Sequence, residues 1–190
     1  MKSANPPKPR LIAIDGVEAS AVLAAAKAAL AASAPGARGG ISRWDASGIF
    51  QDLAVADDEA GAPSARTMLL LYAADLAFRL RWQIRPALAE GRTVVVAPYV
   101  DTAVAFGRAA GLQAGWLTNL FNFAPRAAER HFVHLREGHS TGAKGGFVGF
   151  ACERAGGGAD NSSSRRMLEE TATRLRRAAK QTTSRRSTVS

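Results

Sequence analysis

The histidines and the single cysteine of this 190-residue chain lie close together in sequence, and these are residue types that bind zinc. They are His131, His134, His139 and Cys152. Zinc sites require ligands in defined frames such as Cys-x-x-Cys or His-Glu-x-x-His, and neither frame is present. If residues 131 and 134 lie on a strand, they project to opposite faces. The sequence therefore predicts no metal site.

A lysine among glycines is a second candidate for chemistry, because glycine-rich loops that carry a lysine bind phosphate groups. Lys144 lies in the glycine-rich stretch from Gly138 to Gly146. It is displaced from the Gly-Lys-Ser/Thr order, and no clear helical pattern follows it. We therefore expect no phosphate-binding loop at this place.

The net charge of +9 is concentrated at the two ends of the chain. Residues 1–10 carry three basic and no acidic groups, and residues 161–190 carry eight basic and two acidic groups. The Arg-rich C-terminal segment could bind nucleic acid, anionic lipid or an acidic protein. A solvated basic tail without a binding partner explains the same composition equally well. No aromatic residue follows Phe150, so the stacking pattern of single-strand binders is absent. Nucleic-acid binding through the C-terminal tail is the weaker interpretation.

Short apolar runs alternate with helical patterns along the chain, which is typical of a parallel sheet covered by helices. The predicted strands are Leu11–Ile14, Ile41–Trp44, Thr93–Val96 and His131–Leu135. The predicted helices are Ser20–Ala34, Arg66–Glu90, Asp101–Ala110, Leu112–Phe123 and Met167–Lys180.

The helix predicted over Arg66–Glu90 has apolar residues at helical spacing, and Gly91 stands where a C-terminal glycine belongs. Pro86 is expected to bend or divide it. The apolar residues are Leu69, Leu70, Leu76, Leu80, Ile84 and Leu88. The stretch from Gly138 to Ser164 is rich in glycine and serine and predicts a mobile loop.

These patterns predict one domain. Residues 1–10 form a basic, Pro-rich N-terminal tail, and residues 11–160 form the domain. Residues 161–180 form a basic helix, and residues 181–190 form a disordered tail, because they contain almost nothing to bury. No stretch approaches the ~20 apolar residues that span a bilayer, so we expect a cytoplasmic protein.

Residues 69–112 combine a Tyr-Ala-Ala-Asp helix, the run Ile-Arg-Pro-Ala-Leu, a glycine and a strand that leads to Tyr99. This segment resembles the middle of bacterial thymidylate kinases, in which a Phe-Ala-Ala-Asp-Arg helix leads to a strand ending in Asp-Arg-Tyr. Leu11 to Leu23 resembles the family's first strand and P-loop. The resemblance implies a three-layer P-loop NTPase-like α/β fold with four or five parallel strands, helices on both faces and a shortened C-terminal part.

The P-loop itself departs from the family pattern. Where the family has Gly-x-x-Gly-x-Gly-Lys-Thr, the chain has GVEASAVL, beginning at Gly16. Val22 and Leu23 replace the lysine that neutralises phosphate charge and the hydroxyl that holds magnesium. Only Gly16, Glu18 and Ser20 are left as candidate cofactor-binding residues. We expect the helix to begin early, with Glu18 or Ser20 near its N-terminus.

Two further positions that the family uses for charge have changed. The Asp-Arg of Asp-Arg-Tyr is Ala97-Pro98, and the Arg of Ala-Ala-Asp-Arg is Leu76. Phosphoryl transfer depends on positioning and charge neutralisation, and one lost donor of that kind costs about 3–4 kcal/mol. The substitutions predict a catalytically impaired relative, with ATP and Mg²⁺ as cofactors only if the protein is active.

The part of the acceptor pocket that the resemblance leaves in place is mostly aromatic. Tyr72 aligns with the family's thymine-stacking ring, Phe106 with the Tyr of an Ala-Tyr pair, Arg43 with the Arg of the second-strand turn, and Tyr99 with the last residue of Asp-Arg-Tyr. These four are the candidate substrate-binding residues for a thymidine nucleotide. The alternative, that Tyr72 and Phe106 are core residues on helices, is favoured because aromatic side chains supply core area wherever they occur.

Three functions follow from these observations. The first is a pseudoenzyme that acts by binding a thymidine nucleotide or a protein partner, as a homodimer or a heteromer, because a missing fifth strand would leave His131–Leu135 at a sheet edge. The second is an active nucleoside monophosphate kinase that converts ATP and dTMP to ADP and dTDP with replacement cations. Those cations are Arg43, Arg66, Arg79, Arg108 and Lys144. The third is a basic module associated with nucleic acid.

Overall fold

A four-stranded parallel β-sheet with helices on both faces forms the body of the protein. The computed structural model describes residues 9–33, 39–55, 61–133, 146–155 and 161–187. The strands are β1 (Leu11–Gly16), β2 (Gly39–Arg43), β3 (Thr93–Ala97) and β4 (Glu129–Val133). Their order is β2-β3-β1-β4, and every neighbouring pair is parallel. This is the α/β architecture that the sequence predicted.

Eight helices connect and cover these strands in the described part of the chain. They are α1 (Ala19–Ser33), α2 (Ile49–Val55), α3 (Ala65–Arg79), α4 (Arg85–Ala89), α5 (Val100–Ala109), α6 (Ala114–Leu120), α7 (Phe147–Ala155) and α8 (Asn161–Ser187). A π-helical turn, Leu80–Ile84, joins α3 to α4.

The central strands are apolar on both faces because each face is covered by helices. Successive side chains of a strand alternate between faces, so Ile12 and Ile14 of β1 pack with Val22 of α1 on one side. Leu11 and Ala13 lie in the larger core on the other side, with residues of α3, α5, α7 and α8. The turn that follows β1 therefore lies between the two helical layers that cover the sheet.

The long helix predicted before Gly91 is present as α3, the π-helical turn and α4. Pro86 lies in the first turn of α4, where its missing N–H costs least, and the π-helical turn precedes it. Ser64 caps α3, accepting a hydrogen bond from the Thr67 N–H at 3.1 Å. Gly91 ends the segment with φ of 78°, in the region that favours glycine.

Leu70 was wrongly placed in the predicted apolar face of this helix. Leu69 and Leu76 of α3 are fully buried and Leu71 is partly buried, but Leu70 is 50% exposed. One residue along a helix turns the side chain by about 100°, so the side chains of Leu69 and Leu70 point in different directions, and only that of Leu69 reaches the core. Leu70 belongs to the outer face.

The prediction of a loop over Gly138–Ser164 is wrong in its middle and at its end, because α7 occupies residues 147–155 and α8 begins at Asn161. Phe147, Val148, Ala151 and Cys152 are buried, and their spacing places them on one helical face. The glycines on either side of this short apolar segment obscured it. Residues 138–145 and 156–160 of the predicted loop lie outside the described residues.

The predicted disordered tail over residues 181–190 is corrected for residues 181–187, which continue α8. Buried Ala172 and Leu175 anchor this helix against the body, and no Gly or Pro follows to stop it. Once a helix has nucleated, each further residue adds a hydrogen bond at small cost. The predicted tail at residues 1–10 lies almost wholly outside the described residues.

Strand β4 is the edge of the sheet, as predicted for the fourth strand, although it begins at Glu129 rather than His131. No strand pairs with its outer side within the residues that the structure describes. Among those residues, no helix is long and apolar enough to cross a membrane.

Candidate functional site

The turn between β1 and α1 is short because the helix begins at Ala19, as the sequence predicted. The Val22 N–H donates to the Glu18 carbonyl at 2.9 Å, so helical hydrogen bonding starts at Glu18. The Ser20 hydroxyl donates to the Glu18 carboxylate at 2.8 Å. An acidic residue therefore directly precedes α1, at the end of the helix that attracts anions.

Gly16 is required by close packing at the end of β1. A Cβ atom at this position would lie 2.7 Å from the Val22 Cγ2 atom and 3.0 Å from the Val133 Cβ atom. Val22, at the position of the family's lysine, points into the core and is 4% exposed. The glycine therefore serves the contact of α1 with the sheet.

A cavity of about 160 Å³ lies beside this turn. Its lining includes Gly16, Ser20, Arg43 and Thr102, with apolar side chains and backbone for most of the rest. Arg43 is the one cationic side chain among these lining residues of the described chain. The volume is below the roughly 300 Å³ at which small-molecule pockets begin, so the cavity suits a fragment or an ion better than a whole nucleotide.

Asp15 lies fully buried next to this cavity and binds the start of α5. Its Oδ1 atom accepts hydrogen bonds from the Tyr99 N–H at 3.0 Å, the Thr102 N–H at 2.9 Å and the Thr102 hydroxyl at 2.8 Å. Its Oδ2 atom is buried without a hydrogen-bond partner among the described residues. Burial, and secondarily the charge of Asp101, raise the pKa of Asp15 to about 7.

Tyr72 and Phe106 lie in the core. Both are 0% exposed, and the Phe147 ring packs against them with centroids 4.4 Å and 5.4 Å away. The Tyr72 hydroxyl contacts the carbonyls of Pro98 and Tyr99 at 3.1 and 2.7 Å. The Tyr72 ring is therefore enclosed by the Phe147 ring and the Arg79 guanidinium and has no exposed surface on which a base could stack.

The predicted site residues separate into two groups in space. Gly16, Ser20 and Arg43 line the cavity, with Glu18 at the start of α1 beside it. Tyr72 and Phe106 lie in the core, and the Tyr99 hydroxyl donates to the Pro125 carbonyl at 2.6 Å. The side chains of the two groups do not line one pocket.

Comparison with known proteins gives both sequence and fold relatives. The chain is 42% identical over 57 residues to a probable thymidylate kinase from Pyrococcus horikoshii, and 40% identical over 57 residues to one from Pyrococcus abyssi. Each match covers 30% of this chain and 28% of the relative. The thymidylate kinase from Ehrlichia chaffeensis has the same fold, with a TM-score of 0.57 at 14% identity over 67% of this chain and 72% of that one. The protein is thymidylate kinase-like. No family model matches the chain.

A buried ion pair is the feature of this thymidylate kinase-like protein that sequence reasoning missed. Asp75 and Arg79 are 0% exposed, and the Arg79 Nε lies 2.9 Å from the Asp75 Oδ2. Asp75 also accepts hydrogen bonds from the Ser47 N–H and hydroxyl, and Arg79 donates to the Pro98 carbonyl at 3.2 Å. The i,i+4 spacing is the signal that predicts the pair. Its burial has no sequence signal.

The side chains named as replacement cations are dispersed in this thymidylate kinase-like protein. Arg79 is buried in the ion pair, Arg66 lies over the Trp116 ring at 5.0 Å, and Arg108 donates to the Leu112 carbonyl. Lys144 lies outside the described residues. Arg43 is the member of this set that reaches the cavity.

The residues considered for a metal do not assemble in the described part of the chain. No group of three His, Cys, Asp or Glu side chains occurs among these residues, and His134 and His139 lie outside them. Cys152 is buried, and burial raises the pKa of its thiol to about 12. A thiol with such a pKa stays protonated at neutral pH and is unsuited to bind metal.

Proposed function

We propose that this thymidylate kinase-like protein does not transfer phosphate and acts instead by binding a partner. The observation that carries the proposal is the turn after β1. The side chain at the lysine position, Val22, packs against Gly16 in the core, and α1 begins at Ala19. A phosphate-binding loop needs several inward-facing backbone N–H groups in that space, together with a lysine.

ATP with Mg²⁺, the pair that thymidylate kinases use, does not fit the residues present. A triphosphate needs several positive groups, and Arg43 is the one cation in the lining. The Glu18 carboxylate at the start of α1 opposes an anion there. Magnesium needs an oxygen ligand at the Leu23 position, which supplies none.

The test is a coupled assay with ATP, Mg²⁺ and dTMP. We expect turnover at least about 10⁴-fold below the 1–100 s⁻¹ of typical kinases, because two or more donors worth about 10² each are absent. Turnover that is lost in Arg43→Ala and kept in Arg81→Ala, an exposed arginine of the π-helical turn, would overturn the proposal in favour of an active kinase.

Calorimetric titration of dTMP distinguishes a protein that binds a protein partner from one that binds a nucleotide. We expect no binding, because Phe147 covers the Tyr72 ring. Specific binding that Arg43→Ala abolishes and Arg81→Ala preserves would replace the partner role with nucleotide binding.

The outer face of α3 is the surface that supports partner binding. Leu70, Ala74, Phe78 and Trp82 form an exposed stripe at i, i+4, i+8 and i+12, about 18 Å long. The three large side chains are 50%, 39% and 65% exposed. Neighbouring exposed apolar side chains, here on α3 and the π-helical turn that continues it, are a feature of interaction sites.

The stripe is self-complementary, so we assign it to a second copy of the chain. Antiparallel pairing about a two-fold axis places Leu70 opposite Trp82 and Ala74 opposite Phe78, which sets small against large side chains. Arg66 then lies near Arg85 of the other copy, at the ends of the contact. Salt screens this repulsion, so association strengthens with ionic strength.

Ala74→Glu tests this surface without altering the core, since Ala74 is exposed. Light scattering during gel filtration is expected to give a dimer for the natural sequence and a monomer for the variant. Ala31→Glu, at an exposed position of α1, is the matched control and keeps the dimer. A natural protein that is monomeric at all concentrations would exclude this interface.

A further inference from the structure

A groove of about 190 Å³ lies between α5 and α8, away from the turn after β1. Three arginines line it, Arg108 from α5 and Arg174 and Arg177 from α8. Gln181 extends the lining by one helical turn beyond Arg177. The groove therefore gathers guanidinium groups from two elements that are far apart in sequence.

The acidic groups near the groove already have partners. Asp101, the one acid in its lining, accepts hydrogen bonds from the Arg130 guanidinium, with the Nε atom at 3.0 Å. Glu170 is paired with Arg174 at 2.8 Å. Arg174 is therefore already paired, and these two acidic groups are not available to Arg108 and Arg177.

The groove arginines keep unused hydrogen-bond donors. Arg108 uses its Nη1 on the Leu112 carbonyl, and Arg177 has no hydrogen bond or ion pair with any residue in the described ranges. Arg177 is exposed, as are Arg176 and Lys180 next to it on α8. A guanidinium presents five N–H donors in a planar fork that matches the oxygens of a phosphate.

We infer that the groove between α5 and α8 binds the phosphodiester backbone of double-stranded nucleic acid through Arg108, Arg174 and Arg177. Arg174 and Arg177 are three residues apart on α8, a rise of about 4.5 Å, and a duplex strand carries one phosphate per about 3.4 Å of axis. The contacts are to phosphate, so the binding is independent of base sequence.

The lining favours a duplex over other phosphate-bearing partners. Single-strand binders stack bases on aromatic rings, and the groove lining contains none. Membrane-surface helices present an apolar face to the lipid, whereas the buried apolar residues Ala172 and Leu175 of α8 face the body of the protein. The exposed side of α8 is polar and basic.

This groove extends beyond the basic C-terminal segment that sequence analysis considered, because Arg108 belongs to α5 of the folded body. It also does not depend on the proposed loss of phosphate transfer, since neither the cavity near Gly16 nor its lining contributes to the groove. An active kinase would leave the inference intact, and a failed duplex titration would leave the proposed function intact.

The experiment is fluorescence anisotropy of a labelled duplex of about 20 base pairs across a salt series. Arg108→Gln with Arg177→Gln removes two phosphate contacts. We expect at least a 10-fold loss of affinity and a slope of log K against log salt that is shallower by about 1.8. Lys27→Gln with Arg81→Gln removes the same charge from exposed positions on α1 and the π-helical turn and is expected to change affinity less than about 3-fold.

Equal losses of duplex affinity in the two double variants would overturn the inference that the groove binds duplex, because they would indicate binding by net charge alone. No binding of duplex by the natural sequence would also overturn it, and titrations with inorganic phosphate and with vesicles of anionic lipid would then identify the true anion. Thermal unfolding of both double variants, which alter exposed side chains, checks that they remain folded.

Discussion

Arg79→Leu is expected to lower the free energy of unfolding by about 3–5 kcal/mol, because it leaves the Asp75 carboxylate buried without its counter-charge. Both side chains are fully buried. Asp75 accepts a hydrogen bond from the Ser47 N–H, and Arg79 donates one to the Pro98 carbonyl. The pair thus connects the segments that follow β2 and β3 through one helix. Urea denaturation of the natural protein and the variant measures the loss.

A double variant separates charge from packing. Asp75→Asn combined with Arg79→Leu removes both charges, and the remaining amide oxygen still accepts from Ser47. It is expected to be more stable than Arg79→Leu alone, since a buried polar pair costs less to remove whole than to break. Arg81→Leu, two residues along and exposed, is the control and is expected to change stability by less than about 0.5 kcal/mol. Equal effects of Arg79→Leu and Arg81→Leu would contradict the importance of the pair.

The second large effect concerns the pH dependence of stability. The pKa of Asp15 is raised from 3.8 to about 7, mainly by burial, so the folded state binds this proton more tightly than the unfolded chain. The contribution of protonated Asp15 to the free energy of unfolding is therefore fully present below about pH 4 and is lost as pH rises to about 7. A shift of this size corresponds to about 4 kcal/mol across that window.

Asp15→Asn removes the titration and keeps an oxygen that accepts from the Tyr99 and Thr102 N–H groups. As pH rises from 4 to 8, the variant is expected to gain about 4 kcal/mol in free energy of unfolding relative to the natural protein. Asp52→Asn, at an exposed position on α2, is expected to leave the pH profile unchanged. Parallel profiles for Asp15→Asn and the natural protein would show that Asp15 ionises normally.

Local rules explain which elements were predictable. Thr93–Val96 is a run of β-branched residues, which is typical of a buried parallel strand. Strand β3 extends this predicted strand by one residue, to Ala97. The early start of α1 followed from Ala19 and Ala21, which cannot adopt the backbone of a phosphate loop cheaply. Helix α7 was missed because nine residues between glycine clusters carry too little periodicity to stand out.

The residue types of the candidate site were predictable from the sequence, but the shape of the site was not. The replacement of lysine and hydroxyl by Val22 and Leu23 is a statement about side-chain types, which sequence contains. That Val22 packs on Gly16 and that Phe147 covers Tyr72 are contacts between residues far apart in the chain. Such contacts depend on how α1 and α7 dock on the sheet.

The sequence by itself therefore indicated the resemblance to thymidylate kinases, the parallel α/β layering and the replacement of a lysine and a hydroxyl side chain by Val22 and Leu23, because each depends on residue types or local periodicity. Tertiary structure alone decided that Asp75 and Arg79 pair in the core, that Asp15 is buried beside Thr102, and that Arg108 meets Arg177 across a groove. Burial and convergence of charge arise only when distant segments pack together, and no local pattern encodes them.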